Sequence, residues 1–310
     1  MVAVDSIRLH GTLWMAENDT RTVLTRPLAD TAPAICPPGQ YAGGVWEGPK
    51  DLSISRWLLR TNGARMLTHG YGGWWFDMWG GWFSDPELLT ELASIQQLWE
   101  KAQTDPFPHR VPCHCLCVIV DERLAEYDAS FGVLTGKILE NRHALGTCGR
   151  PYRIYLRNDL LQLDLADAPF LWLLGVHALT LAEESFVQNY LEAGGLALHT
   201  GLNATCLRTC GEWCSDKENY GPTLSSEELR RILERARIHA YLASNDVLYL
   251  GNGFLAIHAA QEGQKTIRFP RSMAVRQILP WCPDSQTGDH VDLTLQRHET
   301  RLFQIRDVGE

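Results

Sequence analysis

Four short, strongly apolar segments restrict the fold of this chain more than any other feature. They are Leu116 to Asp121 (LCVIVD), Tyr152 to Leu156, Phe170 to Leu174, and Leu196 to Thr200. Runs this short and this apolar read as strands covered on both faces. Helical patterns lie between them, at roughly Ser130 to Leu145 with a stop by Gly149, and at Ala182 to Leu191 with a stop at Gly194-Gly195. Parallel neighbours need a long crossover, so strands alternating with helices predict a doubly wound parallel sheet. No GxGxxG follows the first strand, and no dinucleotide is expected there.

The two flanks have different patterns. After a linker around Tyr220 to Thr223, a helix from Ser225 to His239 opens on a capping box, Ser225 with Glu228. From Asp246 onward the chain becomes β-rich. DVLYLGNGFLAIHAA reads as strand, turn, strand, and KTIRFP, AVRQIL, HVDLTL and TRLFQI follow. Six strands at near-regular spacing predict a small antiparallel β-sandwich. On the N-terminal side, SIRLHGTLWM (Ser6 to Met15) alternates and reads as a strand, followed by a Pro- and Gly-rich loop over 31–50. A helix is expected from Asp51 or Ser53 to about His69, with Ile54, Trp57, Leu58, Thr61 and Leu67 on one face and Gly70 as its stop. A strand through Trp74 to Phe76 follows, then a helix from Asp85-Pro86 to about Ala102 with Leu88, Leu89, Leu92, Ile95 and Leu98 inward. Residues 1–104 thus read as two β/α units. Two parallel strands cannot cover both their faces alone, so this part looks incomplete. The expected units are 1–104, 105–222 and 223–310, an α/β protein with an all-β end.

Candidate chemistry sits in the first unit. Gly70 to Trp82, GYGGWWFDMWGGW, places four tryptophans and the lone carboxylate Asp77 among five glycines. Indole faces beside a carboxylate suit a sugar ring, whereas a buried strand with an aromatic turn is the plainer reading. Glu17, Asp19 and Arg21 cluster where a strand ends, the place where parallel α/β folds bind ligands. An ordinary surface turn with an Asp–Arg pair is the alternative. The net charge of −9 argues against a nucleic-acid partner. No run of eighteen apolar residues predicts a membrane span, and the N-terminus lacks the pattern of a secretory signal. Nine cysteines without a regular framework fit reduced thiols and a cytoplasmic location. Cys113, Cys115 and Cys117 alternate along a strand and read as core. Cys206, Cys210 and Cys214 are spaced at four in what reads as a loop, where a metal is conceivable. No metal or other cofactor is expected.

Taken together, LHGTLWMAENDTRT and GGWWFDMWGGWFSDPEL resemble the last two β/α units of the (β/α)8 barrel in β-galactosidase-like glycoside hydrolases of family 42. The resemblance implies that Glu17 is the catalytic nucleophile. An aromatic of the Trp75 to Trp79 region then lines the sugar site, with Trp75, Asp77 and Trp79 as the substrate-binding candidates and which aromatic does so left open, and Asp19 and Arg21 support the neighbouring strand end. It also implies a general acid/base glutamate on the fourth barrel strand, for which this chain has no counterpart. Asp77 is a poor substitute, being on the neighbouring strand. The chain then corresponds to a C-terminal portion, inactive alone. Residues 105–222 resemble the class I glutamine-amidotransferase-like (flavodoxin-like) trimerisation domain of that family. GGLALHTGLN has no cysteine nucleophile, so amidotransferase chemistry is not expected. Residues 223–310 resemble the family's C-terminal β-domain. A carbohydrate substrate and a homotrimer are implied. The competing reading is a non-catalytic oligomerisation or carbohydrate-binding protein.

Overall fold

The computed structural model describes residues 3–26, 47–77, 80–104, 115–127, 133–201, 205–209 and 219–308, with residues 30, 34, 129 and 212–213 besides. Its strands form three sheets. The central sheet contains β3 (Leu116–Val120), β4 (Tyr152–Leu156), β5 (Phe170–Leu174) and β6 (Leu196–Thr200), mutually parallel in the order β4-β3-β5-β6. β7 (Thr205–Thr209) then runs antiparallel to β6, and the two-residue strands β8 (Glu212–Trp213) and β9 (Asn219–Tyr220) pair antiparallel with β7. Side chains alternate across this sheet. Leu116, Val118, Phe170 and Trp172 enter one core with the helices α4 (Val133–Thr147) and α6 (Ser226–Arg235). Cys117, Ile119, Leu171 and Leu173 enter the other, beneath α5 (Leu181–Glu192). Both faces are dry, which is why these strands read as unbroken apolar runs. The thiols of Cys115, Cys117 and Cys148 are buried and unpaired, and Cys206 lies on strand β7 rather than in a loop. Among the described residues no group of three or more His, Cys, Asp or Glu could hold a metal. Cys113, Cys210 and Cys214 lie outside the described residues.

The expected strand from Ser6 to Met15 is not formed. Val4–Leu9 is a helix, α1, and the strand begins at Met15. The cause is tertiary. Asp5 Oδ2 accepts from Ile154 N at 2.8 Å and Ser6 Oγ accepts from Leu156 N at 2.6 Å. These are two outward N–H groups of the edge strand β4, and the helical turn covers that edge. Residues 4–9 therefore pack with the central sheet, although the sequence places them in the first unit.

The remaining strands and helices of the two β/α units follow the expected order, with the second strand at Gly72–Trp75 instead of Trp74 to Phe76. β1 (Met15–Asn18) pairs in parallel with β2 (Gly72–Trp75). α2 (Leu52–His69) starts with Asp51 accepting from Ser53 N and stops at Gly70 with φ 69°. Its deepest face is Leu59, Gly63, Ala64 and Leu67, not the face through Ile54 and Leu58. The helix is wedged between α3 (Pro86–Thr104) and the C-terminal sheet, so contacts on two sides override its weak amphipathicity. Gly63 allows the approach of α3, because a Cβ there would lie 2.7 Å from Ile95 Cγ2. Leu89, expected inward, is exposed, and Glu91 is buried instead against Arg60.

The C-terminal strands are β10 (Val247–Gly251), β11 (Phe254–His258), β12 (Gly263–Leu279), β13 (Ser285–Leu295) and β14 (Thr300–Asp307). They form one antiparallel sheet in the order β10-β11-β14-β12-β13. Five strands replace the expected six because KTIRFP and AVRQIL are one strand, with a register shift between Arg268 and Met273. Such an irregularity bends a strand without ending it. One face buries Leu255, Ile257, Ile267, Val275 and Phe303. The other carries Phe254, Ala256, Ile278 and Leu302 against Leu59, Ala64 and Trp82 of the first unit.

Candidate active site

The in-register pairing of β1 and β2 sets the geometry. Glu17 lies opposite Trp74, and Asn18 opposite Trp75. Directly paired residues point to the same face of a sheet, and successive residues to opposite faces. Met15, Glu17, Gly72 and Trp74 therefore share one face, and Ala16, Asn18, Gly73 and Trp75 the other. The second face is turned to the helices: Asn18 Nδ2 reaches Met66 Sδ at 3.8 Å, and Trp75 packs on the core that contains Leu59 and Ile95. The first face is uncovered. Met15 and Trp74 are 44% and 46% exposed. Glu17 is exposed too and makes no hydrogen bond or ion pair with a described residue. The close approach of the strands requires Gly73, where a Cβ would meet Met66 Sδ at 2.6 Å and Ala16 O at 2.8 Å.

The loops leaving both strands meet at their C-terminal ends. The Thr22 hydroxyl donates to Trp82 O in a short hydrogen bond. Val23 N donates to Ser55 Oγ at 2.8 Å, and Asn62 Nδ2 to the Thr20 hydroxyl, which ties this loop to α2. Arg21 Nη1 pairs with Asp19 Oδ2 at 2.5 Å, and its guanidinium lies 5.3 Å from the centre of the Trp82 ring. Asp19 Oδ1 is buried without a partner among the described residues. Asp77 uses both carboxylate oxygens on Trp82 N, at 3.4 and 3.2 Å, and so closes the turn through Gly80 and Gly81, whose φ values of 82° and 86° suit glycine.

Glu17, Asp19, Arg21 and Asp77 are thus gathered at one end of a parallel strand pair. Trp75, proposed from sequence to face the sugar, points to the helices instead, and Trp74 takes the place beside Glu17. Trp79 lies outside the described residues. Sequence reading did not single out Trp82, although it is 1% exposed and anchors both Arg21 and Asp77. Its position three residues before Asp85-Pro86, where the next helix begins, was the available signal. A groove of about 790 Å³ opens beside the other end of β2, walled by Leu13, Tyr71, Trp75, Leu92 and Trp99. The Trp75 indole N–H is buried there without a hydrogen-bond partner among the described residues.

A two-stranded parallel sheet with helices on one face, joined to a parallel sheet domain and an antiparallel sheet, is a mixed α/β architecture with the candidate site at strand ends. No family model matches the sequence, and no curated protein sequence matches it. Solved structures do. The chain is similar to the β-galactosidase of Bacillus circulans sp. alkalophilus, with TM-score 0.57 and 9% identity over 94% of this chain and 56% of that one. It is similar to the GH42 β-galactosidase Gan42B, with TM-score 0.52 and 9% identity over 82% of this chain and 51% of that one. It is similar to the β-galactosidase of the psychrophilic Marinomonas ef1, with TM-score 0.51 and 8% identity over 83% and 50%. The chain spans about half the length of each of these three structures. At these identities the likeness establishes fold: the chain has the glycoside-hydrolase-like fold of family-42 β-galactosidases over about half their length.

Proposed function

We propose that this chain is the nucleophile-bearing portion of a retaining β-galactosidase-type glycoside hydrolase. The observation that carries the reading is Glu17, a carboxylate with no described partner beside the exposed indole of Trp74 on the uncovered face of a parallel strand pair. In the proposed reaction the Glu17 carboxylate attacks the anomeric carbon, and the departing oxygen takes a proton from a second carboxyl group. Water then releases the sugar from Glu17. Such a mechanism needs its two carboxyl groups about 5–5.5 Å apart. Asp19 is paired with Arg21, and Asp77 is bonded to Trp82 N, so neither is a free acid. The acid is therefore supplied by further β/α units, which would also cover the open face and edges of β1 and β2. Trp74, Asp19, Arg21 and Asp77 hold or shape the sugar subsite, as does Trp79, while Trp75 supports it from behind.

The central unit is the counterpart of an amidotransferase-like trimerisation domain and the C-terminal sheet that of a β-sandwich domain; the likeness in fold supports both assignments. Cys115, Cys117, Cys148 and Cys282 are free thiols, which favours a reducing compartment such as the cytoplasm. No helix among the described residues is long and apolar enough to cross a membrane. The test is hydrolysis of an aryl β-galactoside by this chain alone and by the chain with any in-frame upstream coding sequence. The expected result is activity in the extended protein only, falling by at least about a thousandfold in Glu17→Gln. An active extended protein indifferent to Glu17→Gln would show that the nucleophile lies elsewhere. A chain that binds galactosides but hydrolyses none in either form would favour the carbohydrate-binding alternative.

A further inference from the structure

A cleft of about 220 Å³ lies where three parts of the chain meet. Its walls are α1, the last turn of α2, Cys115 just before β3, residues of β4, and the turn between β10 and β11. At roughly 30 Å³ per water it has room for about seven waters, or one small molecule. Two arginines line it, Arg8 from α1 and Arg153 from β4, and both are exposed. Their common counter-charge is Asp5, whose carboxyl both attract. Asp5 is a weak partner, since Oδ2 already accepts from Ile154 N, and burial raises its pKa against the pull of that bond and of both arginines. His69, also in the wall, stays neutral down to about pH 4 because burial disfavours its cation, with Arg65 adding to the effect. At neutral pH the cleft therefore holds two fixed positive charges against at most one negative charge.

The negative end of α2 points towards the same cleft and would oppose an anion. It is already answered: Asn252 Nδ2 donates to Leu67 O and Thr68 O, each at 3.1 Å. The guanidinium of Arg8 is held beside this turn, with Nη1 3.7 Å from the position a Cβ on Gly70 would take. Tyr152 and Tyr155 complete the wall.

We propose that this cleft binds a small oxyanion, a phosphate or a carboxylate, between Arg8 and Arg153. The site is separate from the β1–β2 strand ends and does not depend on the glycosidase reading. Because the walls come from three parts of the chain, an occupant stabilises their junction, and binding to the folded state alone raises the unfolding temperature.

The test is isothermal titration and thermal unfolding of the full chain with sodium phosphate and with sodium acetate, against sodium chloride at matched ionic strength. Saturable binding of either oxyanion, with a rise in Tm beyond that in chloride, is expected, and the stronger of the two identifies the source chemistry. Arg8→Gln and Arg153→Gln are each expected to weaken binding about tenfold, the loss of one charge-assisted contact. Asp5→Asn keeps an acceptor for Ile154 N but removes the competing charge, so binding tightens severalfold. Arg297→Gln, an exposed arginine outside the cleft, leaves affinity unchanged. Oxyanions no better than chloride, or an affinity unmoved by both cleft substitutions, would overturn the proposal.

Discussion

Arg157 gives the sharpest test of how the central sheet is held. It follows β4, and its guanidinium joins three elements. Nε and Nη2 each donate to the Glu183 carboxylate at 2.8 Å, Nη1 donates to Asp121 Oδ2 at 2.7 Å, and Nη2 also reaches Ala178 O. All three charged side chains are 9% exposed or less. Replacing Arg157 with Met leaves two carboxylates buried without their cation, and losing one partner of a buried ion pair costs about 3–5 kcal/mol. An independent magnitude comes from Glu183, whose carboxyl is held at about 2 against an ordinary 4.5, chiefly by its bonds to Arg157. That shift corresponds to about 3 kcal/mol of differential interaction. Because the folded value is the lower one, this stabilisation is complete above pH 4.5 and is lost as the pH falls towards 2. Urea unfolding across this range should show that acid loss in the parent and not in Arg157→Met, with about 4 kcal/mol separating them at pH 7. Hydrogen exchange at β3 and β5 amides reports on the central sheet itself. A cost below about 1 kcal/mol at pH 7, or the same acid loss in both proteins, would refute the reasoning.

Gly149 has φ 70°, a Cβ there would sit 2.0 Å from Leu242 O, and its carbonyl accepts from both Tyr241 N and Leu242 N. Gly149→Ala should cost roughly 2–4 kcal/mol by chemical denaturation, and a loss within experimental error would contradict that contact. Ser225 caps α6 in a reciprocal bond with Glu228. Ser225→Ala should lower stability by about 1 kcal/mol, and Ser225→Asp, which restores an acceptor, should recover most of it. Burial, reinforced by His298, lowers the pKa of His258 to about 4 despite Asp246. As the folded value lies below the ordinary 6.5, the stabilisation is present above pH 6.5 and is lost as the pH falls through 4. An NMR midpoint for this imidazole near 6.5 would show that the ring is solvated.

Local pattern carried much of this architecture. The strands at 152–156, 170–174 and 196–200 and the caps at Asp51, Gly70 and Ser225 depend on short-range rules: apolar runs covered on both faces, a side-chain acceptor at a helix start, a left-handed glycine at a helix stop. The polar cluster at the end of β1 was equally visible, since a Glu-Asn-Asp-Thr-Arg run cannot be core without partners. Tertiary contacts decided the rest. Residues 4–9 became a helix because Asp5 and Ser6 found the unpaired N–H groups of β4, a hundred and fifty positions away. The strand starts at Met15, and its register with β2 sets which side chains share a face. Trp74 rather than Trp75 therefore stands beside Glu17. A side-chain alternation of two residues makes facing sensitive to a shift of one, and nothing local to Trp74 and Trp75 distinguishes them. The identities of the chemical groups were written in the chain, but their mutual placement required the sheet register and the helices packed behind it.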